Sequence, residues 1–268
     1  MKRILTSLVG LPILFAIIKY LPPWSFLLLV LACVLIGSQE LHALVEKQGM
    51  RPHRLLGTGL AMATAYAFID PRLEPIDMLG AAALAIPLAS LARGWSGATL
   101  SQETGAIGAT LLTVMMMGLL MGYCLALMSD GNERGRDLTV LLFWVVWLSD
   151  AGAYIVGSLA GRRPLAPRIS PKKTLEGMAG AMIMAVAAAL VAKAWFFRSL
   201  SLRDALALGL LMGLFGMLGD LVESLLKRSA QVKDSGWLFP GHGGMLDRAD
   251  SLLFAAPVLF YYHKYFMT

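Results

Sequence analysis

Long apolar segments alternate with short polar stretches along the whole chain. We identify nine of them, near residues 4–21, 24–38, 55–69, 77–92, 105–128, 138–160, 177–196, 204–223 and 250–266. A helix needs about 20 residues to cross a bilayer, and several of these segments approach that length. Their apolar positions do not alternate strictly with polar ones, which favours helices over a membrane barrel. The pattern therefore predicts an all-α, polytopic integral membrane bundle of about nine transmembrane helices.

The composition agrees with a membrane location. Of the 268 residues, 57% are hydrophobic and 15% are charged, and the mean hydropathy is +0.69. A soluble domain carries about a quarter charged residues. Cys33 and Cys124 both lie in apolar segments, and we interpret them as packing residues. We divide the chain, as one membrane unit, into N-terminal helices over residues 1–136 and a C-terminal catalytic region over residues 137–268.

The distribution of basic residues predicts an orientation. If the nine segments alternate in direction, one side receives 15 of the 23 Lys and Arg residues, and this side includes the N-terminus and the loops 161–176 and 224–249. The positive-inside rule places the richer side in the cytoplasm. The poorer side keeps the remaining eight: Lys19, Arg72, Arg134, Arg136, Lys193, Arg198, Arg203 and Lys264. We therefore expect the polar loops to face the cytoplasm, and the net charge of +6 reflects topology and anionic ligands rather than nucleic acid.

One polar stretch, residues 219–251, concentrates charge in this apolar chain. If the eighth segment continues as a helix to Arg228, then Asp220, Ser224 and Lys227 share one face at i, i+4 and i+7. Three glycines around His242 allow the backbone to approach a ligand closely. Asp247 and Asp250 follow at i, i+3, at the start of the ninth segment. A membrane protein tolerates such charges in water, in pairs or around a ligand.

These residue types indicate phosphate chemistry. Carboxylates brought together are hard oxygen ligands that suit Mg²⁺. Neighbouring Lys and Arg side chains suit phosphate oxygens. Acids, a divalent cation and several bases together favour phosphoryl or nucleotidyl transfer, which depends mainly on positioning and charge neutralisation.

A second polar region supports the same interpretation. Asp150 lies within the apolar sixth segment, and five basic residues follow in the loop: Arg162, Arg163, Arg168, Lys172 and Lys173. They are placed to contact the phosphates of a nucleotide or of a lipid headgroup. Ser170 or Thr174 is suited to cap the helix that begins next.

The last 120 residues or so resemble the phosphatidate cytidylyltransferases, also called CDP-diacylglycerol synthases. The family's C-terminal signature is filled at matching spacing by Ser224, Lys227, Arg228, Lys233, Asp234, Pro240, His242, Gly243, Gly244, Asp247, Arg248 and Asp250. Three further features are similar to the family: the pair Asp150 and Tyr154, the pair Gly219 and Asp220, and the run from Ser170 to Gly177. The N-terminal helices match only as generic membrane helices.

The resemblance implies that CTP and phosphatidate react to give CDP-diacylglycerol and pyrophosphate, a committed step towards membrane phospholipids. It implies that Asp220 and Asp247 hold Mg²⁺, with Asp250 or Glu223 as further ligands or as ligands of a second, monovalent or divalent, ion. The implied catalytic residues are Asp220, Lys227, Arg228, Asp247 and Arg248. The implied substrate-binding residues are Ser224, Lys233, Asp234, His242, Gly243, Gly244, Lys172, Lys173 and Asp150.

Several alternatives stay open at this point. A CTP-dependent lipid or polyprenol kinase, or a related lipid nucleotidyltransferase, has similar requirements, and an ion-coupled transporter would use Asp150, Asp220 and Glu223 as an ion path. Glu40, near the end of the second segment, is a further functional candidate. The expected location is the inner membrane of a bacterium with the active site facing the cytoplasm. The sequence leaves open whether the protein forms a homodimer.

Overall fold

The chain folds mainly into helices. The computed structural model describes residues 12–96, 99–129, 132–236 and 243–267. Residues 12–20 are helical. The remaining elements are α1 (Pro23–Glu46), α2 (Arg54–Tyr66), α3 (Pro75–Trp95), a 3₁₀ turn (Leu100–Gln102), α4 (Glu103–Thr113), a π-helical stretch (Val114–Leu120), α5 (Met121–Met128), α6 (Glu133–Ala160), β1 (Pro164–Ala166), β2 (Ser170–Thr174), α7 (Leu175–Trp195), α8 (Leu202–Ser229) and α9 (Leu246–Phe266).

The predicted all-α membrane architecture is confirmed. Within the described ranges, six helices are long and apolar enough to cross a membrane: α1, α3, the continuous helix Leu100–Met128, α6, α7 and α8. α2 has only 13 residues, which is short for a span, and α9 begins with several charged residues. The predicted segment 4–21 lies partly outside the described residues. The total of nine transmembrane helices therefore stays a prediction.

Helix ends differ from the predicted bounds where polar residues extend a helix. α1 continues to Glu46, beyond the predicted end at 38, so Glu40 lies inside the helix. α8 continues to Ser229, which confirms the helical spacing assumed for Asp220 and Lys227. Thr174 caps α7, since its hydroxyl accepts a hydrogen bond from the Gly177 N–H at 3.1 Å, as the sequence suggested. Hydropathy marks the apolar part of a helix and misses these polar turns.

The chain forms two compact units. The first unit comprises Met1–Ser129 and Leu226–Arg248, and the second comprises Asp130–Leu225 and Ala249–Thr268. In the first unit, Gly118 lies in the π-helical stretch directly against Ala61 and Thr64 of α2. A π-helical turn widens the helix locally, so a small residue at this point lets two helices pack closely.

Glycines also set the packing of the second unit. A Cβ atom on Gly180 of α7 would lie 2.5 Å from Val156 of α6, and one on Gly152 of α6 would lie 2.7 Å from the Gly180 carbonyl oxygen. A Cβ on Gly209 of α8 would lie 2.6 Å from the backbone of Val186. Lipid tails are as apolar as the side chains, so the hydrophobic effect does not drive membrane helices together. Small residues stabilise helix contacts instead, because they let two helix backbones pack closely.

A short antiparallel hairpin, β1–β2, precedes α7 and was not predicted. Pro164 pairs with Thr174 and Ala166 with Ser170. Glu176 in the first turn of α7 accepts hydrogen bonds from the backbone N–H groups of Arg162 and Arg163 at 3.0 and 3.1 Å. The basic loop of the sequence is thus an ordered hairpin, tied to the start of α7.

We predict that Gly180→Ala destabilises the protein by about 1–3 kcal/mol, because the new methyl group overlaps Val156. The apparent melting temperature of the purified protein in detergent measures the effect. Gly80→Ala in α3 is the matched control, since nothing lies within 4 Å of its new methyl group. The account of the α6–α7 packing is wrong if both variants melt at the wild-type temperature.

Candidate functional site

An acidic cluster in the second unit consists of Asp220 and Glu223 on α8 and Asp250 on α9. One carboxylate oxygen from each lies within 4.8 Å of the others. Glu223 is fully buried, and Asp220 and Asp250 are half-buried. Three carboxylates this close repel one another unless a cation lies among them. Their oxygen atoms are the ligands that a hard divalent cation prefers.

Gly219 brings the two helices of the acidic cluster together. A Cβ at this position would collide with the Asp250 carbonyl oxygen and lie 3.0 Å from the Phe254 ring. Only glycine allows the α8 backbone to approach α9 so closely. The Asp250 carboxylate accepts the Ser251 N–H at 2.7 Å, and Ser224 donates its hydroxyl to Asp220 at a long 3.4 Å.

Lys173 at the end of the hairpin contributes a positive charge to this cluster. Its Nζ lies 2.5 Å from Oδ2 of Asp220. Asp150 on α6 is exposed, and its charge adds to the negative field at Asp250. Lys173 offsets part of the negative charge, and the carboxylate oxygens of the cluster are donors that fit a hard cation.

A buried ion pair occupies the first unit. Lys227, near the end of α8, lies 2.5 Å from Asp247 in the first turn of α9, and their side chains are 11% and 8% exposed. Oδ2 of Asp247 also accepts hydrogen bonds from the N–H and hydroxyl of Ser235 and from the N–H of Gly244, each at 2.8 Å. Burial by itself would raise the pKa of Asp247. The hydrogen bonds from Lys227 and from these N–H groups lower it by more, so that the pKa falls to about 2. The carboxylate is therefore ionised at neutral pH.

The glycine turn before α9, residues 243–245, is shaped around carboxylates. Gly243 has φ +78°, a conformation that favours glycine, and a Cβ there would collide with Asp247. A Cβ on Gly244 would collide with the carboxylate of Glu40. The resemblance implies that Gly243 and Gly244 bind substrate, and this role stays a prediction. In the structure these glycines leave room for protein carboxylates.

Glu40 on α1 is a residue that the signature does not include. Its Oε1 accepts the Met245 N–H at 2.9 Å, and its Oε2 accepts the Leu246 N–H at 2.8 Å. Oε2 also lies 3.0 Å from the Ser235 hydroxyl, whose one proton Glu40 shares with Asp247. Glu40 is 9% exposed. The sequence marked Glu40 only as a single acidic residue near the end of an apolar segment. It did not indicate which residues Glu40 contacts.

The other predicted site residues are exposed or lie outside the described residues. Arg228 is exposed, and its guanidinium donates to the Val232 carbonyl oxygen at 3.2 Å. Also exposed are Lys172, Lys233, Asp234 and Arg248. His242 and Pro240 lie outside the residues that the structure describes. Within the first unit Asp247 pairs with Lys227. The assignment of Asp247 as a metal ligand stays a prediction.

Comparison with known proteins decides the family. A family model described as the cytidylyltransferase family matches residues 1–266. The chain belongs to the cytidylyltransferase family. The match covers the N-terminal helices as well as the signature region, although only the latter resembled the family by its residues. The resemblance inferred from the sequence is confirmed.

Three relatives of this cytidylyltransferase family member carry the name phosphatidate cytidylyltransferase. The protein from Staphylococcus haemolyticus is 43% identical over 149 residues, which is 56% of each chain. The one from Bacillus subtilis is 39% identical over 155 residues, 58% of this chain and 57% of the relative. The one from Synechocystis is 45% identical over 139 residues, 50% of this chain and 45% of the relative. The chain thus spans about half the length of the curated relatives it matches.

We predict that Lys227→Met destabilises the protein by on the order of 3 kcal/mol, because it leaves the buried Asp247 without its cation. Thermal unfolding in detergent is the measurement. Lys47→Met, at an exposed lysine of the first unit, should leave the melting temperature unchanged.

A second substitution tests the cause. Adding Asp247→Asn to Lys227→Met removes the uncompensated charge, so the double variant should recover part of the lost stability. Additive losses in the double variant would contradict the ion-pair interpretation.

Proposed function

We propose that this protein is a phosphatidate cytidylyltransferase. A phosphate oxygen of phosphatidate attacks the α-phosphorus of CTP. The bond from that phosphorus to the oxygen bridging to the β-phosphorus breaks, so CDP-diacylglycerol forms and pyrophosphate leaves. The observation that carries the proposal is the acidic cluster of Asp220, Glu223 and Asp250, which lies inside the cytidylyltransferase match. The names of the relatives supply the substrates.

We assign Mg²⁺ to the acidic cluster, since its oxygen donors fit this cation. When bound, Mg²⁺ neutralises charge on the triphosphate and on the departing pyrophosphate. Lys173 pairs with Asp220 in the structure and so balances part of the cluster's charge. The ligand role of Asp247 and the second ion remain predictions that come from the family resemblance.

The basic side chains are assigned to the phosphates of the two substrates. Arg228, Lys233 and Arg248 are exposed and positioned on the chain beside the signature acids. Lys172 is exposed on the hairpin and is assigned to the phosphates of either the nucleotide or the lipid headgroup. A phosphomonoester has a second pKa of about 6, so phosphatidate is mostly ionised at neutral pH and needs little help from a general base.

We further propose that the site faces the cytoplasm from the inner membrane of a bacterium. The support is the excess of Lys and Arg in the loops that carry the signature residues. CTP is a cytoplasmic metabolite, so this orientation supplies the substrate. A homodimer stays an open alternative.

The decisive experiment supplies the full chain, purified in detergent, with CTP labelled at the α-phosphate, phosphatidate and Mg²⁺. We expect a labelled lipid, CDP-diacylglycerol, together with pyrophosphate. A kinase would instead release labelled CDP and phosphorylate its lipid, and a transporter would turn over no CTP. Either of these results would overturn the proposal.

We predict that Glu223→Gln raises the Mg²⁺ concentration for half-maximal activity by at least about tenfold, because a ligand oxygen of the cluster loses its charge. Turnover at varied Mg²⁺ measures this. Glu133→Gln, an exposed glutamate of the second unit, is the matched control and should follow the wild-type curve. An unchanged Mg²⁺ curve for Glu223→Gln would remove Glu223 from the metal site.

A further inference from the structure

Glu40 lies in the interior of α1, one of the six helices suited to cross the membrane. An ionisable side chain there is expensive unless polar partners surround it. Its neighbours on the helix, Leu41 and His42, are fully buried. Among the described residues, the carboxylate accepts the N–H groups of Met245 and Leu246 and shares the hydroxyl of Ser235 with Asp247. These donors come from the segment between α8 and α9 and from the first residue of α9.

The first effect of Glu40 is to cap α9. The N–H groups at a helix start have no partner within the helix and carry partial positive charge. The two carboxylate oxygens of Glu40 accept the N–H groups of Met245 and Leu246 at the start of α9, at 2.9 and 2.8 Å. A residue more than 200 positions away in sequence thus provides the cap.

The glycines of this segment fit the carboxylate closely. A Cβ on Gly236 or on Gly244 would collide with the Glu40 side chain. The backbone is therefore wrapped around this one carboxylate on two sides. A side chain of another shape or charge would not satisfy the same N–H groups.

The second effect passes through Ser235. Its hydroxyl oxygen lies 3.0 Å from Oε2 of Glu40 and 2.8 Å from Oδ2 of Asp247. The Ser235 N–H also donates to Asp247. Glu40 accepts the N–H of Leu246, the residue directly before Asp247. It also contacts Ser235, which donates to Asp247. One carboxylate therefore fixes both of these neighbours of Asp247. Asp247 in turn pairs with Lys227.

We propose that Glu40 is a positioning residue, which fixes the start of α9 and Ser235 and thereby holds Asp247 and Lys227 in their working orientation. The catalytic part of this inference rests on the proposed function, whereas the structural part does not. It assigns a role in the reaction to α1, which lies outside the signature.

The activity test compares Glu40→Gln with the wild type at saturating CTP, phosphatidate and Mg²⁺. Glutamine keeps the size but turns one acceptor into a donor that faces backbone N–H groups. We expect kcat to fall about 10- to 100-fold, as for a misplaced catalytic group, with KM for phosphatidate within about threefold. Glu46→Gln on the same helix, exposed and paired with Arg54, is the matched control and should retain wild-type kcat. A Glu40→Gln kcat within twofold of the wild type would overturn the inference.

A double-mutant cycle separates positioning from general damage to the fold. Ser235→Ala alone should lower kcat, because it breaks the bridge between Glu40 and Asp247. In the Glu40→Gln background the same change should cost less than twofold, since the bridge is already lost. Fully additive losses would show that Glu40 does not act through Ser235 and would contradict the proposal.

Hydrogen exchange tests the structural part without reference to activity. The amides of Met245 and Leu246 should exchange at least about tenfold faster in Glu40→Gln than in the wild type or in Glu46→Gln. Wild-type protection in Glu40→Gln would refute the capping contact. If the wild-type protein makes no CDP-diacylglycerol while Glu40→Gln loses this protection, the proposed function fails and the structural role of Glu40 stands.

Discussion

Local compensation of charge is the constraint on which the functional parts of this protein depend. An apolar bundle offers no water to an ionised side chain, so each carboxylate needs its own partners. Asp247 has Lys227 and two backbone N–H groups, Glu40 has two backbone N–H groups, and the two carboxylates share the one hydroxyl of Ser235. The acidic cluster differs, because it brings three carboxylates within 4.8 Å of one another, with Lys173 paired to Asp220. This difference separates carboxylates that organise the backbone from carboxylates suited to hold a metal.

Much of this arrangement was predictable from spacing along a single helix. α8 runs unbroken through Asp220 and Lys227, so the i, i+7 relation inferred from the sequence holds. Asp247 and Asp250 lie at the start of α9 as expected. Helical periodicity fixes such relations within one element, and they need no knowledge of the tertiary structure.

The features that escaped prediction depend on contacts distant in sequence. The partners of Glu40 lie 195 or more residues away, and no local pattern encodes such a pairing. The hairpin before α7 contains prolines and basic residues and lacks an alternating apolar face, so it carried no strand signal. Gly219 was noted only as family-like, because a close approach of two backbones is visible only when both helices are placed.

We propose that Asp220, Glu223 and Asp250 together hold the divalent cation of this cytidylyltransferase family member. Anomalous diffraction from crystals of the full chain grown with Mn²⁺ and CTP tests it most directly. The account predicts an anomalous peak about 2 Å from carboxylate oxygens of this cluster. A well-ordered cluster with no peak in coordination distance of any of these three residues, while Mn²⁺ binds elsewhere beside CTP, would contradict it.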